Sequence, residues 1–355
     1  MFRSIFILTF LALISPALAC CTAWRAGQEP VRIAAQEVLI VWDEETKTEH
    51  FIRRANFQAG KPPKDFGFLV PTPTQPKLQE VPDQIFQRLG ELIKPKVEVK
   101  KTTRISFMPL LLRPLTATLG SKSAESANLR GGVEILDRAI VGGYEAVVLR
   151  AAHTDELLKW LELNEYDARP ALRDWLTPYV KKEWIITAFK YAAEEKGAPP
   201  SLSRASVCMS FQTEEPFFPY RVPSDIRVRP ENGSLLRLYF SGKERVVGKF
   251  ENGNIPDWNA QTKFSNREDQ VADILKHVGQ LPQSASSSTW LTTFEDNTWP
   301  GGADDLYFKS SPTKESLIPP PIMRADVSTI QLPLDVIGVI LIAGVLIYKK
   351  RKNAA

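Results

Sequence analysis

The stretch that decides the fold, residues 131–192, reads GGVEILDRAIVGGYEAVVLRAAHTDELLKWLELNEYDARPALRDWLTPYVKKEWIITAFKYA. Strand-like runs on both sides of the glycine pair at 142–143 predict a hairpin. Apolar residues spaced three and four apart then predict short helices at 154–163 and 168–180. A strand-like run at 184–191 ends the unit. Two amphipathic helices between strands predict an α+β fold, with the helices on one face of a mainly antiparallel sheet.

Strand patterns continue on both sides of this unit. Before it the chain has several short β-rich runs and one helical pattern at 82–92. After the glycine- and proline-containing segment 197–200, Asn-Gly turn signals separate further strand-like runs. The predicted organisation is an α+β ectodomain part at 20–200, followed by a strand-rich part at 201–308.

The charge distribution argues against nucleic acid as a partner. The chain of 355 residues has 45 basic and 41 acidic residues, and 43% of its residues are apolar, enough for a sizeable core. Five of the basic residues, Arg3 and the cluster at 349–352, and one acidic residue lie outside residues 20–334. The region 20–334 is therefore neutral, and it lacks the basic face that binding to nucleic acid requires.

The N-terminus predicts export. Arg3 precedes an apolar run at 5–14, and Ala17-Leu18-Ala19 is a small-residue cleavage site. A secretory signal peptide at 1–19 places the rest of the chain outside the cytoplasm.

The C-terminus predicts a membrane anchor. Residues 309–329 read as a Pro/Ser-rich stalk, and 330–348 read as a transmembrane helix. The basic tail at 349–355 predicts a cytoplasmic C-terminus, and therefore one span of the bacterial cell membrane with the N-terminus outside. Because the strictly apolar run at 336–348 is short, removal of this segment as a sorting tail stays open.

The three cysteines are candidates for attachment or cross-linking. Cys20 directly follows the predicted cleavage site and is a candidate for lipidation. Cys208 lies on a predicted strand, where it is either a small buried apolar residue or the disulfide partner of Cys20 or Cys21. The sequence leaves these alternatives open.

No pattern in the sequence indicates catalysis, a cofactor or a metal. His50, His153 and His277 are not spaced as metal ligands, and exposed or helix-capping positions are expected for the first two. Gly-x-Ser-x-Gly, Walker and dinucleotide-binding motifs are absent from the sequence. Acidic pairs such as Asp304-Asp305 are expected in turns or at helix ends, where they would not be desolvated general acids. We therefore predict no catalytic, cofactor-binding or metal-binding residue.

An aromatic and proline-rich segment is the candidate partner surface. Residues 216–223 read PFFPYRVP, and FGFLVPTPTQP at 66–76 has the same character. Proline removes backbone donors from a sheet, so both segments are expected at strand ends or sheet edges, where aromatic side chains can dock an extended peptide. The candidate contact residues are Phe217, Phe218 and Tyr220. The alternative is that the aromatic residues of both segments fill the core.

Several of these segments resemble a known bacterial family. The matching stretches are QEVLIVWDEETKTEHFI at 36–52, DFGFLVPTPTQP at 65–76, GGYEAVVLRAAHTDELLKWLELNEYD at 142–167 and SFQTEEPFFPYRVP at 210–223. They are similar to an uncharacterised family of exported, membrane-associated bacterial proteins, domain-of-unknown-function family 2330. The resemblance implies the same architecture without an established activity, and it carries over no catalytic residue. Members begin the mature domain with two cysteines a few residues apart, whereas Cys20 and Cys21 are adjacent.

These expectations favour a single-pass exported membrane protein with a non-catalytic binding or scaffolding ectodomain and an envelope protein as its partner. The first alternative is an envelope hydrolase whose site is assembled from residues far apart in the sequence. The second is an envelope protein tethered by a lipid or a disulfide.

Overall fold

The structure is a computed structural model that describes residues 21–23, 32–58, 67–106, 134–166, 168–191, 206–227, 235–252, 257–283, 285, 290–299, 302, 304–331 and 334–353. The chain divides into two compact units. The first comprises Met1–Ile93 and Ser123–Ile318, and the second comprises Lys94–Lys122 and Pro319–Ala355.

The described residues form a strand-rich α+β fold, as the sequence predicts. In chain order the strands are β1 (Cys21–Ala23), β2 (Arg32–Asp43), β3 (Thr48–Gln58), β4 (Gly67–Thr72), β5 (Lys77–Val81), β6 (Val97–Ser106), β7 (Glu134–Val141), β8 (Tyr144–Arg150), β9 (Ile185–Tyr191), β10 (Ser206–Gln212), β11 (Phe217–Phe218), β12 (Leu235–Gly242), β13 (Val246–Phe250), β14 (Gln261–Arg267), β15 (Trp290–Asp296), β16 (Leu306–Ser310) and β17 (Ile322–Gln331). The helices are α1 (Gln84–Leu92), α2 (Thr154–Leu163), α3 (Pro170–Lys181), α4 (Asp269–Asp273), which continues as a π-helical turn at Ile274–Val278, and α5 (Leu334–Lys352).

A seven-stranded sheet forms the centre of the first unit. Its strand order is β14-β15-β12-β2-β3-β10-β5. All neighbours are antiparallel except β2 and β12, which run parallel with Val38 opposite Leu238. Strands from both sides of the predicted boundary at 197–200 therefore share one sheet. These strands pair across long sequence separations, so residues on both sides of 197–200 belong to the first unit.

This sheet is buried on both faces, which explains the continuous apolar run in β2. Side chains of a strand alternate between faces, so Val38 and Ile40 enter one core while Leu39 and Val41 enter another. Helix α1 covers the second face with its apolar side chains, among them Phe86.

A five-stranded antiparallel sheet of order β1-β4-β9-β8-β7 contains the unit with which the sequence analysis began. Its hairpin turns at Gly142 and Gly143, which both have positive φ, a conformation that glycine adopts without steric cost. Helices α2 and α3 pack on one face around Leu69 and Leu149, whereas Phe68 on the other face joins the core that holds Val38. The predicted order of hairpin, two helices and strand is confirmed.

A three-stranded sheet of order β11-β16-β13 connects two segments that matter for the site. Phe217 of β11 lies opposite Tyr307 of β16, and the Phe308 backbone N–H donates to the Pro216 carbonyl at 2.9 Å. This pairing brings the acidic pair that precedes β16 close to the segment that follows β11.

The second unit contains β6, β17 and α5. Strands β6 and β17 pair in parallel, with Ile322 opposite Val97. The end of the predicted stalk at 309–329 is therefore part of a sheet.

The predicted membrane span at 330–348 does not match one helix. Its first residues belong to β17, and α5 includes the basic residues at 349–352. The apolar run at 336–348 would extend ~20 Å as a helix, less than the ~30 Å of a bilayer core. In the described part of the chain, no helix is both long enough and apolar enough to cross a membrane. The structure therefore does not support the predicted transmembrane helix.

Candidate functional site

The aromatic candidates for a partner surface lie in the core. Phe217, Phe218 and Tyr220 are 1%, 0% and 3% exposed. The Phe217 ring centroid lies 5.0 Å from that of Trp184, and the Tyr220 hydroxyl donates to an Asp296 carboxylate oxygen at 2.7 Å. These side chains fill the core and are not accessible to a partner in this conformation.

A narrow cleft lies beside them, between the two proline-rich segments. It is lined by Phe51 and Arg53 of β3, by Leu69, Val70 and Pro71 of β4, by Trp175 of α3, and by Pro219 and Arg221. We call it the arginine cleft. Its two prolines have no backbone N–H, so they offer no donor to a group in the cleft. In this conformation the cleft is too narrow for a water molecule.

Arg53 has a buried guanidinium without a hydrogen-bond partner. The residue is 6% exposed, and within the described ranges no acceptor reaches its Nε, Nη1 or Nη2 atoms. Its neighbour Arg54, by contrast, pairs with Glu37 and lies 3.9 Å from Asp83. Arginine keeps its charge in proteins, and an unpaired buried charge costs several kcal/mol. Among the residues that the structure describes, nothing compensates the charge of Arg53 in the cleft.

An aromatic platform fixes the position of this guanidinium. The Arg53 Cζ atom lies over the Phe68 ring, 4.3 Å from its centroid. Phe68 in turn stacks on Phe189 at 4.6 Å and meets Tyr144 edge-on at 5.3 Å. The cation–π contact holds the Cζ atom above the ring, and no described residue accepts a hydrogen bond from the three guanidinium nitrogens. The donors are therefore held in place while they remain available to an acceptor.

Arg221, the second arginine of the cleft, is compensated by acidic side chains. Its Nη2 donates to Asp304 Oδ1 at 2.8 Å, and its Nε lies 3.8 Å from Asp305 Oδ2. Its backbone N–H donates to Asp305 Oδ1 at 3.1 Å, and the Trp175 indole N–H donates to its carbonyl at 2.9 Å. These bonds hold the wall of the cleft that contains Pro219. The uncompensated charge in the cleft therefore belongs to Arg53.

Asp305 is a desolvated carboxyl behind this wall. It is 1% exposed and also accepts a hydrogen bond from the Tyr179 hydroxyl at 2.9 Å. Burial raises the pKa of Asp305 to about 6, although the charge of Arg221 opposes the shift. The expectation that this acidic pair is solvated was wrong for Asp305. Tyr179 of α3 and Arg221 of the segment after β11, both distant in sequence, contact its carboxyl group.

A second polar cluster lies on β3 and β10. His50 Nδ1 and Ser210 Oγ are 2.8 Å apart, and Cys208 Sγ lies 3.6 Å from the same hydroxyl. The expectation of an exposed or capping His50 was wrong, since neighbouring strands bury it and this burial lowers its pKa. His153 is exposed and precedes α2 without a side-chain cap.

The His50–Ser210 pair has the chemistry of a base and a nucleophile but lacks their usual support. No side chain of the described residues hydrogen-bonds His50 Nε2, so nothing orients the imidazole from its other side. The pair is a cross-strand contact in which the buried His50 ring and the half-buried Ser210 hydroxyl satisfy each other.

Glu49 is a buried carboxyl on the same face of β3 as Arg53. Its Oε2 accepts the Phe217 backbone N–H at 2.9 Å, and burial raises its pKa well above the ordinary value. It makes no hydrogen bond to Arg53. Glu49 therefore does not supply the missing counter-charge.

The cysteine candidates are only partly within the described residues. Cys208 is a buried free thiol, and burial raises its pKa to about 12. It is a small buried residue without a disulfide. Cys21 begins β1, and Cys20 lies outside the described residues, so lipidation stays a prediction.

No metal centre is found among the residues that the structure describes, since no three His, Cys, Asp or Glu side chains are grouped to hold an ion.

Arg53 is not among the residues predicted from the sequence, although one signal points to it. In the alternation of β3, Arg53 takes the same face as Phe51, which is a core position. A cation at a core-facing position is a pattern that a strand assignment alone can reveal.

Known proteins that resemble this chain identify its family. The model of a family described as an uncharacterized protein conserved in bacteria, DUF2330, matches residues 15–295. The chain belongs to this family. The match confirms the resemblance seen in the sequence and includes every residue that lines the arginine cleft. No curated protein matches the chain.

Among solved structures, the crystal structure of baculovirus P35 aligns with 82% of this chain and 97% of its own chain, at 8% sequence identity and a TM-score of 0.33. A similarity this low supports no argument about fold or function.

Proposed function

We propose that this DUF2330 protein is a non-catalytic binding or scaffolding protein of the bacterial envelope, and that the arginine cleft contacts its partner. The observation that carries the proposal is the buried guanidinium of Arg53, which lines a narrow cleft and has no hydrogen-bond partner among the residues described. A buried charge without a counter-charge destabilises a chain, so a partner that supplies the counter-charge would stabilise this arrangement. The signal-peptide pattern at 1–19 supports a position outside the cytoplasm.

Cross-linking of intact cells followed by mass spectrometry tests this proposal. Arg53→Met removes the charge, and Arg88→Met on the exposed side of α1 is the matched control. We expect one cross-linked partner that is recovered with the unchanged protein and with Arg88→Met but lost with Arg53→Met. Recovery of monomer alone, or of the same partner with all three proteins, would contradict the proposal.

We further propose that α5 keeps the protein at the membrane. Val345, Leu346, Ile347 and Tyr348 are more than half exposed, and four basic residues that can attract anionic headgroups follow them. Removal of residues 334–355 should move the protein from the membrane to the soluble fraction. If the shortened protein stays with the membrane, intact-mass measurement shows whether an acyl group on Cys20 holds it there.

An envelope hydrolase is the second candidate, favoured by the 2.8 Å contact between His50 and Ser210. Purified protein would then hydrolyse p-nitrophenyl acetate, and Ser210→Ala would abolish the activity while Ser241→Ala, at another buried serine, would not. Equal rates for all three proteins would exclude this pair as a nucleophile and base.

A further inference from the structure

We infer that the arginine cleft binds a carboxylate of a polypeptide partner, and that Arg53 holds this group through two parallel N–H donors. The inference rests on the proposed binding function and deepens it, because it names the chemical group that the cleft recognises. Charge, geometry and the polarity of the walls each support it independently.

The charge in the cleft matches a monoanion. Arg221 is already bonded to Asp304 and held close to Asp305, so among the described residues that line the cleft Arg53 contributes the unpaired positive charge. A carboxylate would neutralise that charge. A phosphate dianion would leave an excess negative charge beside the two aspartates, where like charges repel.

The geometry of the donors matches a planar acceptor. The Arg53 Cζ atom lies over the Phe68 ring, and all three guanidinium nitrogens lack partners among the residues described. The edge of a guanidinium presents two parallel N–H groups at the spacing of carboxylate oxygens, which a lysine cannot reproduce. Because the contact with Phe68 already fixes the position of the guanidinium, little further ordering is needed on binding.

The walls of the cleft favour an apolar group next to the carboxylate. Phe51, Leu69 and Trp175 line it together with two prolines that cannot donate a hydrogen bond. An apolar surrounding strengthens a charge-assisted hydrogen bond and disfavours a strongly hydrated anion. Since the cleft is closed to water in this conformation, the ligand must widen it, so a carboxylate on a single apolar residue fits better than a bulky anion.

Binding of defined probes to the full-length protein tests the inference. The probes are acetyl-Gly-Leu as the free acid, the same dipeptide as its C-terminal amide, and inorganic phosphate, each measured by NMR titration. We expect the acid to bind, and the amide and phosphate to bind at least tenfold more weakly. Arg53→Met should weaken binding of the acid at least tenfold, Arg53→Lys should weaken it less, and Arg88→Met should leave it unchanged.

Each outcome decides the matter. The inference is overturned if phosphate binds as tightly as the acid, if the amide does, or if Arg53→Met binds the acid normally. If the acid does not bind while the cross-linked partner still depends on Arg53, the carboxylate is wrong and the proposed function stands. If the acid does not bind and the cross-linked partner does not depend on Arg53, the carboxylate inference and the proposed function are both wrong. If Arg53→Met does not fold, two measurements still test the carboxylate site. One compares binding of the acid and the amide to the unchanged protein, and the other measures binding of the acid to the Arg53→Lys protein.

Discussion

Replacement of Arg53 by methionine is expected to stabilise the isolated protein, although it removes a side chain that is only 6% exposed. Replacing a buried ion pair by apolar side chains of similar volume is neutral or gains about 1–4 kcal/mol in other proteins, and an unpaired buried cation lacks even the attraction of such a pair. Loss of the contact with Phe68, whose centroid is 4.3 Å from Cζ, costs about 2 kcal/mol when desolvated. Methionine keeps the length of the side chain and recovers part of that contact. We expect a net gain of about 1–2 kcal/mol in the free energy of unfolding.

Urea unfolding followed by tryptophan fluorescence measures this change as a higher midpoint at an unchanged slope. Arg54→Met is the control on the adjacent position. Arg54 pairs with Glu37, so its removal leaves this partly buried carboxylate with only the 3.5 Å ion pair to Arg237 and should cost about 1–3 kcal/mol. Opposite signs at neighbouring arginines of one strand would distinguish an unpaired buried cation from a paired one.

The reasoning would be refuted if Arg53→Met lost more than the ~2 kcal/mol that the contact with Phe68 can account for. Such a loss would mean that the folded chain already satisfies the guanidinium. The Arg53 guanidinium would then not be free to pair with a carboxylate of a partner.

Three further predictions concern the buried polar groups. Because the pKa of Asp305 rises from 3.8 to about 6 on folding, the folded protein binds a proton more tightly, and stability should fall by roughly 3 kcal/mol as the pH rises from 4 to 6. Asp305→Asn should make the urea midpoint depend less on pH. If the midpoint changes with pH as much as in the unchanged protein, Asp305 does not cause the dependence. Tyr179→Phe removes one donor to Asp305 and should cost about 1–2 kcal/mol, measured by the same assay, while a neutral result would show the bond to be unimportant. Cys208 should resist a maleimide in the folded protein and react after unfolding, whereas rapid labelling at neutral pH would contradict its burial.

Local patterns were sufficient for much of the fold. Helix α2 spans Thr154–Leu163 as predicted, and the hairpin turns at Gly142-Gly143, because side-chain periodicity and turn chemistry act over a few residues. The two proline-rich segments, 66–76 and 216–223, were expected at strand ends. Strand β4 ends at Thr72 and β11 ends at Phe218, and residues of both segments line the arginine cleft.

Burial at the site could not be predicted in the same way. Asp305 lies in a short polar stretch, and only the Tyr179 hydroxyl and the Arg221 backbone, 126 and 84 residues away, make it a desolvated carboxyl. His50 is buried because β10 pairs with β3 across 160 residues of sequence. No local pattern carries such information.

The sequence by itself determined the family, the α+β class, the neutral charge of the region 20–334 and the unit built from residues 131–192. These properties depend on composition and on short-range periodicity, which one chain displays directly. Only the tertiary structure decided that the aromatic candidates Phe217, Phe218 and Tyr220 are core residues and that no described residue hydrogen-bonds the Arg53 guanidinium. The physical reason is that the electrostatic state of a side chain depends on which groups surround it. Those groups come together only when distant strands pair and sheets pack.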